Sequence, residues 1–121
     1  MLDNVTLPLT YLSAANFTGK QYYGCKLTGD RTVDLCGAGE ICHGVIYDEP
    51  NAAGLQVNVA VEGLVQVKAG AAFSAGARLK LDASGKWIAA ATTNPFYAVA
   101  EEAATADGDI VSALLRTGTV P

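Results

Sequence analysis

Apolar and polar residues alternate most cleanly at Leu55-Gln56-Val57-Asn58-Val59-Ala60-Val61-Glu62. Leu55, Val57, Val59 and Val61 fall on one face and Gln56, Asn58 and Glu62 on the other, the period of two that a half-buried strand requires. Gly63 ends the run, and Val65 and Val67 open a second face against Gln66 and Lys68, which predicts a hairpin or a sharp bend at Gly63. Upstream, residues 21–26 predict a strand, Thr28-Gly29-Asp30-Arg31 a turn, and residues 32–35 a strand pairing back. Gly37-Ala38-Gly39 breaks the chain before a strand at 41–47. Asp48-Glu49-Pro50-Asn51 is a loop, since Pro presets its own dihedral and Asn tolerates positive φ. Downstream, residues 78–81 and 86–90 flank a Ser84-Gly85 turn of hairpin type. Asn94-Pro95 turns into a strand at 96–101, and Asp107-Gly108 into a last strand at 110–116. Ala71, Ala72 and Ala75 favour a short helix within 70–76. Eight or nine short strands at this spacing predict an all-β fold, a small antiparallel barrel or sandwich.

The first 19 residues read differently, as an extended N-terminal arm ahead of a single β domain at 20–121. Val5, Leu7 and Leu9 alternate with Thr6, Pro8 and Thr10, and Tyr11 and Leu12 follow. Pro8 lacks a backbone N–H, which argues against a central strand or a helix interior. Two readings stand side by side: an arm that packs on a partner, with Val5, Leu7, Leu9, Tyr11 and Leu12 as its contacts, or an edge strand of the same domain.

Length permits one domain of 121 residues, which buries about two-thirds of the surface its unfolded chain exposes. Half the residues are hydrophobic, yet aromatic residues make up only 7%, so side chains are small and layers approach closely. That composition favours compact sheets over a roomy ligand cavity. Net charge is −4 and the cations Lys20, Lys26, Arg31, Lys68, Arg78, Lys80, Lys86 and Arg116 are scattered. Phosphate recognition needs clustered cations, so nucleic acid is not an expected partner. No apolar run is long enough for a membrane helix, and Met1-Leu2-Asp3-Asn4-Val5 shows neither the basic n-region nor the apolar h-region expected of a signal peptide. Synthesis in a cytoplasm is the expectation.

Residues able to carry chemistry are few. Cys25, Cys36 and Cys42 are odd in number, which in a reducing compartment favours free thiols. Their spacing is longer than zinc knuckles use, with His43 the one imidazole. Cys42-His43 invites a nucleophile and base, but a strand at 41–47 sends adjacent side chains to opposite faces and leaves His43 a packed or interface residue. No Gly-x-Ser-x-Gly elbow occurs. Asp48-Glu49, Glu101-Glu102 and Asp107/Asp109 sit in turns or at strand edges, and Asp107-Gly108-Asp109 lacks the further spaced ligands of a calcium loop. The glycines of 70–76 have neither the Gly-Lys-Ser/Thr ending nor the dinucleotide spacing of a phosphate cradle. Trp87, Phe73, Phe96 and the tyrosines could form a sugar platform, or Tyr22 and Tyr23 a partner surface; core packing is expected for Trp87 and Phe96, and one of Tyr22 and Tyr23 should face outward. No cofactor, metal or catalytic residue is expected.

The segment from Val67-Lys68-Ala69-Gly70 through Gly76 and Asp82-Ala83-Ser84-Gly85-Lys86, then Val99-Ala100-Glu101-Glu102-Ala103-Ala104-Thr105-Ala106-Asp107-Gly108-Asp109-Ile110-Val111-Ser112, resembles the small capsid cement or head decoration proteins of tailed bacteriophages. Ala77, Ala98 and Glu101 depart from the family's pattern, at turn and strand-edge positions that leave the fold reading intact. Gly70, Gly76, Gly85, Asp107 and Gly108 are the motif's turn residues. The resemblance implies a non-enzymatic virion protein that binds the major capsid protein on the outside of an expanded icosahedral head. It further implies a homotrimer at three-fold and quasi-three-fold positions that stabilises the shell against DNA pressure, with no nucleic-acid or membrane partner. The alternative is a small β-barrel carbohydrate- or receptor-binding module of a phage tail or surface structure. A third reading is a metal-dependent enzyme built on Cys25, Cys36, Cys42 and His43.

Overall fold

The structure, a computed structural model, describes residues 6–121, with side chains described from Pro8 onward. Nine strands follow one another: β1 (Thr6–Ser13), β2 (Gly24–Gly29), β3 (Thr32–Leu35), β4 (Gly44–Ile46), β5 (Gln56–Lys68), β6 (Arg78–Leu81), β7 (Trp87–Ala89), β8 (Pro95–Ala100) and β9 (Ile110–Thr119). The all-β expectation and its strand number are met.

Five strands close into a small barrel. β1 pairs with β3, β3 with β2, β2 with β4, β4 with β5, and β5 returns to β1. A ring with an odd number of strands cannot alternate direction all the way round, so one pair must be parallel. It is β1 with β3, where Leu12 lies opposite Thr32 and Ser13 opposite Val33, the departure from a purely antiparallel fold. Tyr11, Phe17, Cys25, Val33, Ile46, Val57 and Val59 fill the interior. Pro8 is exposed and sits at the register shift between Leu7 and Pro8, where a missing N–H costs no ladder bond. Residues 1–5 of the expected arm lie outside the described residues.

β5 runs for 13 residues and serves both halves of the molecule. Its first half pairs with β1 and β4, and from Leu64 it pairs with β9. Val57 and Val59 point into the barrel, whereas Ala60, Val65 and Val67 belong to a second core. The facing therefore changes parity partway along the strand. Val61 is an extra residue between the Pro8–Ala60 and Leu7–Glu62 pairs, and Gly63 takes φ +93°, a conformation that costs glycine little. The break foreseen at Gly63 is thus a bend within one strand.

The second sheet has the order β5-β9-β8-β6-β7. Beneath it Trp87, Leu79, Leu81, Val65 and Val67 pack among Ala69, Ala98, Ala100, Ala104 and Ala113, the small side chains leaving room for the one large indole. Residues 70–76 form turns in place of the helix their alanines favoured. Phe73 exchanges two backbone hydrogen bonds with Ala104, each 3.0 Å, and its ring is buried in the core, so tertiary burial overrides local propensity. The strand expected at 41–47 is confined to Gly44–Ile46. Alternation from Ile41 fails accordingly: Ile41 is 79% exposed, and Cys42 packs on the same core as Val45.

Candidate functional site

The contact candidates of the N-terminal strand divide by orientation. Leu9 and Leu12 are 39% and 41% exposed. Leu12 lies opposite Gln56, and the next residue, Ser13, donates its N–H to the Leu55 carbonyl at 2.9 Å. Leu55, joined to the strand's end through Ser13, is itself exposed. Leu7 pairs with Glu62 through the backbone, and Val5 lies outside the described residues. Tyr11 is buried: its hydroxyl is 2.8 Å from His43 Nε2, the two rings meet edge to face at 5.3 Å, and Arg31 covers it at 5.2 Å. Sequence reasoning missed Leu55, placed on an inward face by its alternation, and Leu27, exposed near the end of β2. A strict period of two cannot show where a strand overruns its core.

Most of the motif glycines and Asp107 meet at one end of the second sheet. Gly70 donates to the Trp87 carbonyl at 2.7 Å, Gly108 to Ala69 at 2.8 Å, and Ala69 to Asp109 at 2.8 Å. Asp107 forms an ion pair with Lys86 at 2.8 Å. Gly85 has φ +91°, and a side chain there would meet the Cys36 carbonyl at 3.1 Å, so the turn needs glycine for both shape and space. Its own carbonyl accepts from Gly24 N–H at 2.9 Å, which ties the second sheet to the barrel. Gly76 stands apart and donates to Ala100 at 2.7 Å. These residues hold loops in place and offer no reactive group.

Chemistry is absorbed by packing. Cys42 donates to the Gly44 carbonyl at 3.5 Å while His43 engages Tyr11, so the adjacent pair does not act on itself. Burial, with the Cys36 charge adding to it, pushes the Cys25 thiol up to about 12. A hydrogen bond between Cys36 and Cys42 draws Cys36 below the ordinary thiol range and raises Cys42, which burial raises further. All three thiols are free. Among the described residues no group of three or more His, Cys, Asp or Glu side chains is placed to hold a metal ion. Asp109 accepts from the Thr105 hydroxyl at 2.7 Å, Thr105 N–H at 2.8 Å and Ala106 N–H at 3.2 Å, so its carboxylate is engaged by its own turn. Trp87 is fully buried, and Phe73 and Phe96 nearly so, so these three rings belong to the core and not to a sugar platform.

Most cations are also engaged. Lys20 and Lys68 lie over the Tyr23 ring and Arg78 over Phe96, Lys26 pairs with Glu40, and Lys80 donates to Asn94. Arg116 alone has no such partner among the described residues. It borders a groove of about 250 Å³ whose lining includes Cys42, His43, Val61, Tyr97 and Leu115. Among the described residues no helix is long and apolar enough to cross a membrane.

The comparisons with known proteins agree with this arrangement. Residues 24–116 match the model of a family described as phage cement protein. Among solved structures the chain is similar to the N base of the head fiber protein gp8.5 of bacteriophage phi29, with a TM-score of 0.65 and 18% identity over 93% of this chain and 95% of that one. None of the curated proteins matches.

Proposed function

The chain belongs to the phage cement protein family and is a capsid-associated structural protein; from that premise we propose that it binds the outside of the mature icosahedral head as a trimer at three-fold and quasi-three-fold positions. There it stabilises the shell against the pressure of packaged DNA. The family match across residues 24–116 carries this reading. A similar fold in a phage head fiber base fits a place on a head surface. The protein is made in the host cytoplasm, and its partners are the major capsid protein and its own copies.

The capsid contact is the exposed side of β1. Leu12 presents its side chain there, Leu9, exposed on the strand's other face opposite Val59, and exposed Leu55 supply further apolar surface near it, and Val5 and Leu7 belong to the same stretch. Tyr11 supports the strand from within, through His43. A strand held in a closed barrel docks without first being ordered, which lowers the entropic cost of binding. Three such strands on one trimer turn weak single contacts into a strong collective one through effective concentration.

The test mixes purified chain with expanded shells that lack it and images them by cryo-electron microscopy. Density at three-fold and quasi-three-fold positions is expected, with the Leu9→Asp/Leu12→Asp variant leaving the shells bare. Shells that stay bare with the wild-type chain, together with a monomeric mass by light scattering, would sink the reading.

A further inference from the structure

We propose that Cys36 and Cys42 are the two halves of a latent disulfide, a modification site that closes when the folded chain meets dilute peroxide outside the reducing compartment in which it is made. The occasion for closing rests on the reading above, synthesis in a host cytoplasm followed by a place on the outside of a head. Cytoplasmic thiols are kept reduced, and released proteins lose that protection. Both ends of the segment 36–43 are fixed on consecutive residues of β2: Cys36 N–H donates to the Gly24 carbonyl at 3.0 Å and His43 N–H to the Cys25 carbonyl at 2.7 Å. Between them the chain doubles back. Gly39 takes φ +77°, Glu40 N–H donates to the Gly37 carbonyl at 3.2 Å, and Gly37 N–H donates to the Glu40 carboxylate at 2.7 Å, which also pairs with Lys26. The Cys36 thiol thereby reaches the Glu40 carbonyl, at 3.5 Å, two residues before Cys42. Both cysteines pack in the second core, and their thiols hydrogen-bond to each other.

Orientation keeps Cys25 out of the pair. Its side chain fills the barrel among Phe17, Val33, Ile46, Val57 and Val59. Cys36 is buried, whereas Cys42 is half-buried and borders the groove of about 250 Å³ beside Tyr97, where hydrogen peroxide is small enough to enter. The Cys36 sulfur, the readier of the two to ionise, displaces hydroxide from the peroxide and becomes a sulfenic acid. Cys42 then attacks that sulfur: the S–S bond forms, the S–O bond breaks, and the Cys42 proton leaves with the hydroxyl as water. Two electrons pass from the sulfurs to the peroxide, and the first hydroxide takes up the Cys36 proton as a second water. The bond encloses residues 37–41. It fixes the loop that Tyr97 of β8 already holds, its hydroxyl donating to the Glu40 carbonyl at 3.4 Å. A covalent link of this kind also constrains the unfolded chain, so the oxidised protein should resist denaturant better than the reduced one.

The experiment treats the reduced, folded chain with dilute hydrogen peroxide, quenches it, counts thiols after unfolding and maps the disulfide by mass spectrometry. The count is expected to fall from three to one, with a Cys36–Cys42 link inside one chain, a higher urea midpoint, and reversal of both by dithiothreitol. Cys25→Ser should keep the link and the shift in midpoint, and Cys36→Ser and Cys42→Ser should lose both. Three thiols remaining, a link that includes Cys25, a link between chains, or a link that leaves the midpoint unchanged overturns the inference. Should the Cys36 or Cys42 variants fail to fold, the link mapped in the wild-type chain and in Cys25→Ser decides. No shells enter this measurement, so its failure leaves the head-binding reading standing, and bare shells in the test above leave the cysteine pair standing.

Discussion

Trp87 is fully buried at the centre of the second core, and its indole N–H has no acceptor among the described residues. Truncation there opens a cavity among alanines too small to fill it, so Trp87→Ala should cost about 3–5 kcal/mol. Trp87→Phe keeps most of the volume and removes the unpaired donor, whose burial is itself unfavourable. It should therefore cost far less than the alanine variant, on the order of 1 kcal/mol, and urea denaturation compares the two directly. The thiols give a second prediction. With Cys25 pushed up to about 12 and Cys42 raised by its bond to Cys36 and by burial, native chain at pH 8 should show less than one fast-reacting thiol. All three of the cysteines should react once the chain is unfolded. At this scale the sequence was legible for Trp87, whose core role follows from composition, but not for His43, since β4 begins only at Gly44 and the strand context that placed it fails. It was not legible for Tyr11, which carries the same apolar label as its exposed neighbour Leu12. Only the partner His43, 32 positions away, separates them.

At the scale of elements, β3 and β6 occupy residues 32–35 and 78–81, the positions their patterns predict. Each is a short alternating run bounded by turn residues, so local information suffices. β4 is shorter than its pattern, with His43 tied to Cys25 and Tyr11 in place of β5; His43 N–H donates to the Cys25 carbonyl at 2.7 Å. The parity change in β5 was invisible for a related reason, since a bulge is defined by the opposing strand. Gly63 makes this testable. At φ +93° an L side chain is strained whatever space surrounds it, so Gly63→Ala should lose more than about 1 kcal/mol. Because the bend joins the two cores, both should loosen together, and amide hydrogen exchange should show lowered protection in β1 and β9 alike. Protection lost in one sheet only would mean that the bend does not couple the halves.

For the whole molecule, pH is the variable that reaches several loops at once. The Lys26 ammonium beside Glu40, with the Gly37 N–H, holds the Glu40 carboxyl below its ordinary range. Backbone and hydroxyl donation from Ser112 does the same to Glu102. Asp109 is lowered by the Thr105 hydroxyl, then by the Thr105 and Ala106 N–H groups. In each case the unfolded chain binds the proton more readily than the folded one, so stability rises with pH across the interval between the two affinities. The contribution is complete above the unfolded carboxyl range, roughly pH 4 to 4.5, and is lost as pH falls through the lower values of the folded state. These groups are exposed, so salt should shrink the Lys26–Glu40 share, whereas the hydrogen bonds to Asp109 depend on it much less. Urea midpoints measured from pH 3 to 7 should fall toward the acid end. Asp109→Asn should lower the midpoint at pH 7 and flatten that fall, because an amide has no charged form to lose. A variant that keeps the full acid dependence of the wild-type chain would show that the Thr105–Asp109 turn is not one of its sources.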